Sequence, residues 1–186
     1  MENLAEKITI FLAAHNYIAE DKKDWCHYVV IKFLMSVLSL CLLIPIGSLV
    51  VGWIGSILYT FTFRFLRART GGYHAKTPHG CLITSVILQI LFLSLSIYMP
   101  DASLFIFVAI ISGLSIVLIG PVNHPELHLS STEMSALRPR IYLRVSFIIT
   151  FALVLFVNPI WAGCIAFSIF SVALLLAFSA YGFGVQ

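Results

Sequence analysis

Residues 29–63 read VVIKFLMSVLSLCLLIPIGSLVVGWIGSILYTFTF, and Lys32 is the one charged residue among these 35. A helix that crosses a bilayer needs about 20 apolar residues, so this stretch is too long for one span and long enough for two. Pro45 and Gly47 interrupt the stretch near its middle, and such residues are typical of a turn. We therefore predict two transmembrane helices joined by a tight turn at 44–48.

The composition of the whole chain extends this interpretation. Of its 186 residues, 60% are apolar and 10% are charged, whereas about a quarter of the residues in a soluble domain are charged. A chain this short cannot bury so much apolar surface in one water-solvated core. The composition excludes a cytosolic globular enzyme, a disordered protein and a secreted disulfide scaffold. The net charge of +3 is small for a nucleic-acid-binding protein, so we expect the lipid bilayer as a partner and no nucleic acid.

Four further apolar blocks follow in two pairs, with short breaks at 100–101 and 158–159 inside the pairs. The blocks are residues 82–99, 102–120, 141–157 and 160–181. The predicted fold class is all-α, a polytopic membrane protein with six transmembrane helices arranged as three hairpins. We expect a single integral-membrane domain over residues 1–186, with polar loops at 64–81 and 121–140.

The segment before the first span, residues 1–28, has a different pattern. Within it, apolar residues and one histidine recur every three or four positions, which predicts an amphipathic helix. They are Leu4, Ile8, Phe11, Leu12, His15 and Ile18. Such a helix lies at the membrane surface or packs against other helices, and the pattern leaves both alternatives open. No basic region leads into an apolar run with a small-residue cleavage site, so we expect no cleaved signal peptide.

The basic residues decide the orientation of the spans. All eleven lysines and arginines lie before the first span, at its start, or in and beside the loops 64–81 and 121–140. Six spans place these positions on one side of the membrane, while the opposite turns carry only Asp101 as a charge. By the positive-inside rule, we predict a multi-pass protein of the cell membrane with both termini and both polar loops in the cytoplasm.

The first polar loop, residues 64–81, reads RFLRARTGGYHAKTPHGC and contains the candidate chemistry. Thr77 and Pro78 are typical of a helix N-cap followed by proline at the first helical position. We therefore expect the third span to begin at Pro78, with Cys81 in or just after its first turn. The positive end of the helix dipole and the basic residues of the loop favour a thiolate there.

His74 lies seven residues before Cys81. Imidazole accepts and returns protons near neutral pH, and cysteine with histidine is the arrangement of a cysteine protease or acyltransferase. Seven residues rise about 10 Å in a continuous helix, so a Cys81–His74 dyad requires the chain to bend. Gly71 and Gly72 permit that bend, because glycine adopts backbone angles that other residues avoid.

Simpler interpretations of the same residues stay open. A lone cysteine in a membrane helix is usually a packing residue, and a basic cluster commonly contacts lipid headgroups. A metal bound by His74, His79 and Cys81 needs a fourth ligand from elsewhere, so we expect no metal and no cofactor. The second loop contains two further histidines, His124 and His128. They lie near this site only if the two loops meet in the fold.

Residues 67–75, RARTGGYHA, followed by Cys81, resemble the R-x-x-x-G-G-x-H-A…C signature of the accessory gene regulator B family. These are membrane cysteine endopeptidases of Gram-positive quorum sensing. The chain length, six spans and polar loops agree with the family along nearly the whole chain, and Pro121-Val122 is similar to the start of the family's second loop. That loop is often rich in lysine in the family, whereas here it has Glu126 and no base before Arg138.

The resemblance implies a thioester mechanism with Cys81 as the nucleophile and His74 as base and then acid. Arg67, Gly71 and Gly72 take supporting or substrate-binding roles. The implied partner is a short amphipathic precursor peptide of the AgrD type with an acidic C-terminal tail, which is cleaved and cyclised to a thiolactone or lactone. A homodimer is left open.

Two non-enzymatic alternatives also remain. A small transporter or peptide-export component would use the loops as gates and would need no covalent chemistry. In a non-catalytic membrane scaffold, the Gly-Gly-x-His…Cys grouping would be a coincidence. Charged residues deep within the spans would favour transport. Lys32 is the deepest, and a lysine at that position can extend its ammonium group to the interface.

Overall fold

The structure, a computed structural model, describes residues 2–15, 17–71, 78–99, 101–122 and 130–182. All regular secondary structure in those ranges is helical, which confirms the predicted all-α class. The helices are α1 (Glu2–Ala14), α2 (Lys23–Thr70), α3 (Pro78–Tyr98), α4 (Ala102–Ile119), α5 (Ser131–Val154) and α6 (Pro159–Ala180). Short 3₁₀ turns occupy Glu20–Lys22 and Leu155–Val157.

Helix α2 doubles back on itself, as two spans in residues 29–63 require. Its backbone leaves helical geometry at Gly52, where φ is 75° and ψ is 170°. The Ser56 Oγ donates to the Ile44 carbonyl at 2.7 Å. In one straight helix these residues would lie about 18 Å apart, so the chain must reverse between them. We call residues 53–70 the second arm of α2.

The prediction of a turn at 44–48 was wrong in its position, because Pro45 is accommodated inside the helix. Around it, side chains donate to backbone carbonyls: Ser48 Oγ to Pro45 at 2.7 Å, and Gln89 Nε2 to Leu43 at 3.0 Å. Such bonds are what make a proline tolerable in a transmembrane helix. The turn falls instead at Gly52, because glycine accepts a positive φ without steric cost.

Four helices of the described chain are long and apolar enough to cross a membrane. They are Glu20–Thr70, Gly80–Tyr98, Ala102–Ile119 and Pro159–Ala180, which correspond to α2, α3, α4 and α6. Helix α5 carries Arg138, Arg140 and Arg144, which lower its mean hydropathy. The chain is thus an all-α membrane protein, and the count of six spans stays a prediction.

Contacts between residues divide the chain into two compact units, Met1–Leu42 and Leu43–Gln186. In the first unit, α1 buries Ala5 and Thr9, and the Thr9 hydroxyl donates to the Ala5 carbonyl at 2.8 Å. The predicted apolar stripe is not this buried face. Leu4 and Phe11 are half-exposed, which agrees with the alternative in which the stripe lies at a membrane surface.

Helix α6 lies at the centre of the second unit and packs against α3, α4 and α5. Its Phe167 stacks on Phe92 of α3 with ring centroids 5.5 Å apart and meets the edge of Phe105 of α4 at 5.6 Å. A Cβ on Gly163 would lie 2.8 Å from the Phe105 ring, so the glycine is what lets α4 pack this close. This core fixes α3, whose first turn carries Cys81.

Hydrogen bonds attach the second arm of α2 to α6. The Tyr59 hydroxyl lies 2.6 Å from the Ser171 Oγ, and the Ser168 Oγ donates to the Tyr59 carbonyl at 3.0 Å. All three residues are buried, and polar groups buried in an apolar environment are costly unless they are paired. These bonds fix the arm whose last residues enter the first polar loop.

Candidate active site

Helix α3 begins at Pro78, as the sequence predicts, and Cys81 is its fourth residue. The thiol is half-buried, so it is neither sealed in the core nor fully solvated. Nearby hydroxyls are directed to the backbone, since Thr84 donates to the Gly80 carbonyl and Ser85 to the Cys81 carbonyl, each at 2.9 Å. Cys81 thus lies in the first turn of α3, at the positive end of the helix dipole.

Arg67, on the second arm of α2, interacts electrostatically with Cys81. Its side chain lies beyond the apolar stretch that ends at Phe63, and its guanidinium is 5.6 Å from the centre of the Phe63 ring. Burial lowers the pKa of Arg67, while a negative charge on Cys81 raises it. Arg67 thus contributes a positive charge to the electrostatic surroundings of Cys81. The fold thus brings two of the predicted site residues together.

The end of α2 meets the beginning of the second polar loop. The Val122 N–H donates to the Thr70 carbonyl at 3.1 Å, while Thr70 itself is buried. Next to this bond, Gly71 has φ of +70°, and a Cβ added to it would lie 2.8 Å from the Val122 carbonyl oxygen. The contact therefore requires glycine at position 71, and it joins the two polar loops at their bases.

Helix α5 begins within the second polar loop with a capping box. The Glu133 N–H donates to the Ser130 Oγ at 3.3 Å, and the Ser130 N–H donates back to the Glu133 carboxylate at 2.9 Å. The Ser130 N–H, and then its hydroxyl, hold the pKa of Glu133 below its usual value. This box fixes the first turn of the helix that carries Arg138, whose guanidinium lies beside Gly120.

The family model described as Accessory gene regulator B matches residues 5–179. The chain belongs to the accessory gene regulator B family. Neither a curated protein nor a solved structure matches it. Membership confirms the family predicted from the 67–75 signature and Cys81. It connects the protein with the processing of agr quorum-sensing peptides, with a precursor peptide as the substrate and a membrane as the setting.

Two of the site residues predicted for this family member, Gly72 and His74, lie outside the described residues, as do His124 and His128 of the second loop. The Cys81–His74 dyad therefore stays a prediction.

The sequence reasoning missed Thr70 and the hydrogen bond that it accepts from Val122. The one available signal was Pro121-Val122, which resembled the start of the family's second loop but gave no indication of a contact with the first.

The other three cysteines differ from Cys81 in their surroundings. All four are free, but Cys26 and Cys164 are buried and Cys41 lies exposed on an apolar part of α2. The Cys164 Sγ is 4.0 Å from the Ser96 Oγ within the core. Cys81 alone among the four is half-buried in the first turn of a helix and has an arginine beside it.

Proposed function

We propose that this family member is a membrane cysteine endopeptidase that removes the C-terminal tail of an AgrD-type precursor peptide through a thioester on Cys81. The observation that supports it most is the placement of Cys81, half-buried in the first turn of α3 and within range of the charge of Arg67. A positive environment and partial exposure are the conditions under which a cysteine becomes a nucleophile.

In the first half-reaction, His74 takes the proton of the Cys81 thiol. The thiolate attacks the carbonyl carbon of the peptide bond before the tail, and the negative charge moves to the carbonyl oxygen. The tetrahedral intermediate collapses, the C–N bond breaks, and the tail amine leaves with the proton from His74. The product is a thioester between Cys81 and the N-terminal part of the precursor.

In the second half-reaction, an internal cysteine or serine of the bound peptide attacks the thioester carbonyl. Its proton passes to His74, the Cys81–carbonyl bond breaks, and the released Cys81 thiolate recovers a proton. The peptide closes into a thiolactone or a lactone. The attacking group is tethered to the thioester, so proximity favours ring closure over hydrolysis by water.

Other residues of the site assist these steps. Backbone N–H groups at the start of α3, together with Arg67, stabilise the oxyanion of both tetrahedral intermediates. Gly71 and Gly72 shape the first loop and let the substrate backbone approach it. With both loops in the cytoplasm, as the distribution of basic residues predicts, their arginines attract the acidic tail of the precursor.

Co-expression of the full chain with its precursor peptide, followed by mass spectrometry, tests the proposal. We expect Cys81→Ala and His74→Ala to abolish cleavage of the tail and formation of the ring. Cys26→Ala, Cys41→Ala and Cys164→Ala serve as matched controls and retain cleavage. Cleavage that persists in Cys81→Ala or His74→Ala at equal protein levels would contradict the assignment.

A further inference from the structure

A groove of about 220 Å³ runs between the second arm of α2 and helix α5. Its walls are apolar and aromatic apart from one threonine. They are formed by Ile57, Leu58, Phe61, Thr62, Phe65, Phe147, Ile148 and Phe151. Phe61 is 58% exposed and Phe147 is 62% exposed, so the groove opens outward from the bundle. It is separate from the surroundings of Cys81.

Three of the four phenylalanines of the groove form a ladder of neighbouring rings. Ring centroids of Phe65 and Phe147 are 6.2 Å apart, and those of Phe147 and Phe151 are 6.4 Å apart with nearly parallel planes. From Ile57 to Phe65, the helix rises about 12 Å along the groove. The groove is thus a narrow apolar channel that follows the helix axes.

One end of the groove is cationic. The Arg144 guanidinium lies 4.3 Å from the centre of the Phe65 ring and donates to the Phe65 carbonyl through Nη1. Arg69 is close enough for its charge to act on Arg144. No carboxylate of the described residues forms an ion pair with either arginine. Arg144 is thus fixed at the end of an apolar channel with the charge of Arg69 acting on it, and this arrangement is complementary to an anion with an apolar extension.

We propose that this groove binds one anionic phospholipid, whose phosphate pairs with Arg144 and Arg69 and whose acyl chain lies along the phenylalanine ladder. The walls favour a lipid over an extended peptide, because a peptide would place backbone N–H and C=O groups against phenylalanine without partners. An acyl chain has no such groups. The bound lipid holds α5 against the second arm of α2 and does not depend on the proposed chemistry of Cys81.

The test places a fluorophore in the groove. Trp25, Trp53 and Trp161, the natural tryptophans, are replaced by phenylalanine, and Phe147→Trp is introduced in the full chain. The protein is reconstituted in vesicles of phosphatidylcholine and phosphatidylglycerol in which one lipid or the other carries brominated acyl chains. Bromine quenches only a tryptophan that it contacts, so the two mixtures report which lipid occupies the groove.

We expect brominated phosphatidylglycerol to compete for this tryptophan at least about fivefold better than brominated phosphatidylcholine, because each arginine near an anionic headgroup contributes about 1 kcal/mol. A matched control replaces Leu114 of α4 with tryptophan in the same background. Leu114 is exposed and lies about as far from the end of α4 as Phe147 lies from the end of α5. There the two lipids should quench equally. Equal quenching at position 147, or the same preference at position 114, would overturn the proposal.

Charge-removing variants complete the test. Arg144→Gln and Arg69→Gln should each reduce the preference at position 147, while Arg144→Lys retains part of it. Arg69 is exposed, so Arg69→Gln remains informative if Arg144→Gln fails to fold. If the folded Arg69→Gln and Arg144→Lys variants keep an unchanged preference for phosphatidylglycerol at position 147, the proposal is overturned. So would protection of the tryptophan from both lipids by a synthetic amphipathic helical peptide with an acidic tail.

Discussion

The backbone N–H of Val122 donates to the carbonyl of Thr70 at 3.1 Å, and this bond joins the bases of the two polar loops. Thr70 is the last residue of the helix that carries Arg67, and Val122 follows shortly after the end of α4. The second loop therefore does not leave the bundle independently of the first. It starts beside Gly71, one of the residues predicted for the candidate site.

The first prediction concerns the glycine at this junction. Gly71→Ala places a Cβ 2.8 Å from the Val122 carbonyl oxygen and also adds the cost of a positive φ, which is about 1–2 kcal/mol for a residue with a Cβ. We expect it to separate the loops and to reduce precursor cleavage, measured by mass spectrometry at equal amounts of folded protein, by about tenfold or more.

Gly52→Ala is the matched control for that variant. Gly52 has φ of +75°, but a Cβ added to it meets nothing within 4 Å. This variant carries the backbone cost without the contact, so we expect it to lower the thermal stability and to retain cleavage. Equal loss of cleavage in both variants would show that the Gly71–Val122 contact has no special role.

A second prediction follows from the contact between Arg67 and Cys81. In a chain whose other three cysteines are alanine, Cys81 is the one thiol that iodoacetamide can alkylate. The thiolate is the reacting form, and a positive charge that acts on a thiol in general favours it; Arg67 supplies such a charge at Cys81. We expect Arg67→Gln to slow alkylation several-fold at pH 7, while Arg67→Lys retains most of the rate. The rate is followed by mass spectrometry of the intact protein.

Arg140→Gln provides the control, since it removes one exposed positive charge from α5 and leaves Arg67 in place. Its alkylation rate should match that of the parent. If Arg67→Gln and Arg140→Gln slow the reaction equally, the effect comes from the net charge of the surface and not from a guanidinium placed at Cys81.

Local sequence signals predicted part of this arrangement. The start of α3 at Pro78 and the place of Cys81 in its first turn follow from Thr77-Pro78. A proline favours the first helical position because of its own backbone geometry, so this signal is local in the sequence. The turn in α2 depends on distant residues and was predicted wrongly. Pro45 looks like a turn residue until Gln89, from another helix, donates to the Leu43 carbonyl beside it.

The contacts that assemble the site are all between residues distant in sequence. Arg67 reaches Cys81 because two buried hydrogen bonds fix the second arm of α2 on α6, and no periodicity in residues 64–81 contains that information. The Thr70–Val122 bond depends equally on the packing of α4.

A third prediction tests the polar contact at the α2 reversal. Gln89 is buried, and its Nε2 donates to the Leu43 carbonyl, while its Oε1 has no partner among the described residues. Gln89→Leu removes the donor together with the unpaired oxygen, so we expect a loss of only about 1 kcal/mol. Gln89→Glu removes the donor and places an acceptor against the same carbonyl, so it should be more destabilising.

Thermal unfolding in detergent, followed by size-exclusion chromatography, ranks the two variants. The reverse order would mean that the amide does not support the reversal.

The fourth prediction separates the two partners of the Tyr59–Ser171 hydrogen bond, whose oxygens are 2.6 Å apart in the core. The Ser171 Oγ donates to the Phe167 carbonyl at 2.8 Å, so the Tyr59 hydroxyl must be the donor between the two. Tyr59→Phe therefore leaves Ser171 with a partner and should cost about 1 kcal/mol of unfolding free energy. Ser171→Ala leaves the buried Tyr59 hydroxyl unpaired, so it should cost more, about 2 kcal/mol. The double variant should have nearly the same unfolding free energy as Tyr59→Phe alone, because it no longer contains the unpaired Tyr59 hydroxyl. Equilibrium unfolding of the four proteins in detergent measures these differences, and equal losses for the two single variants would mean that Tyr59 has another partner.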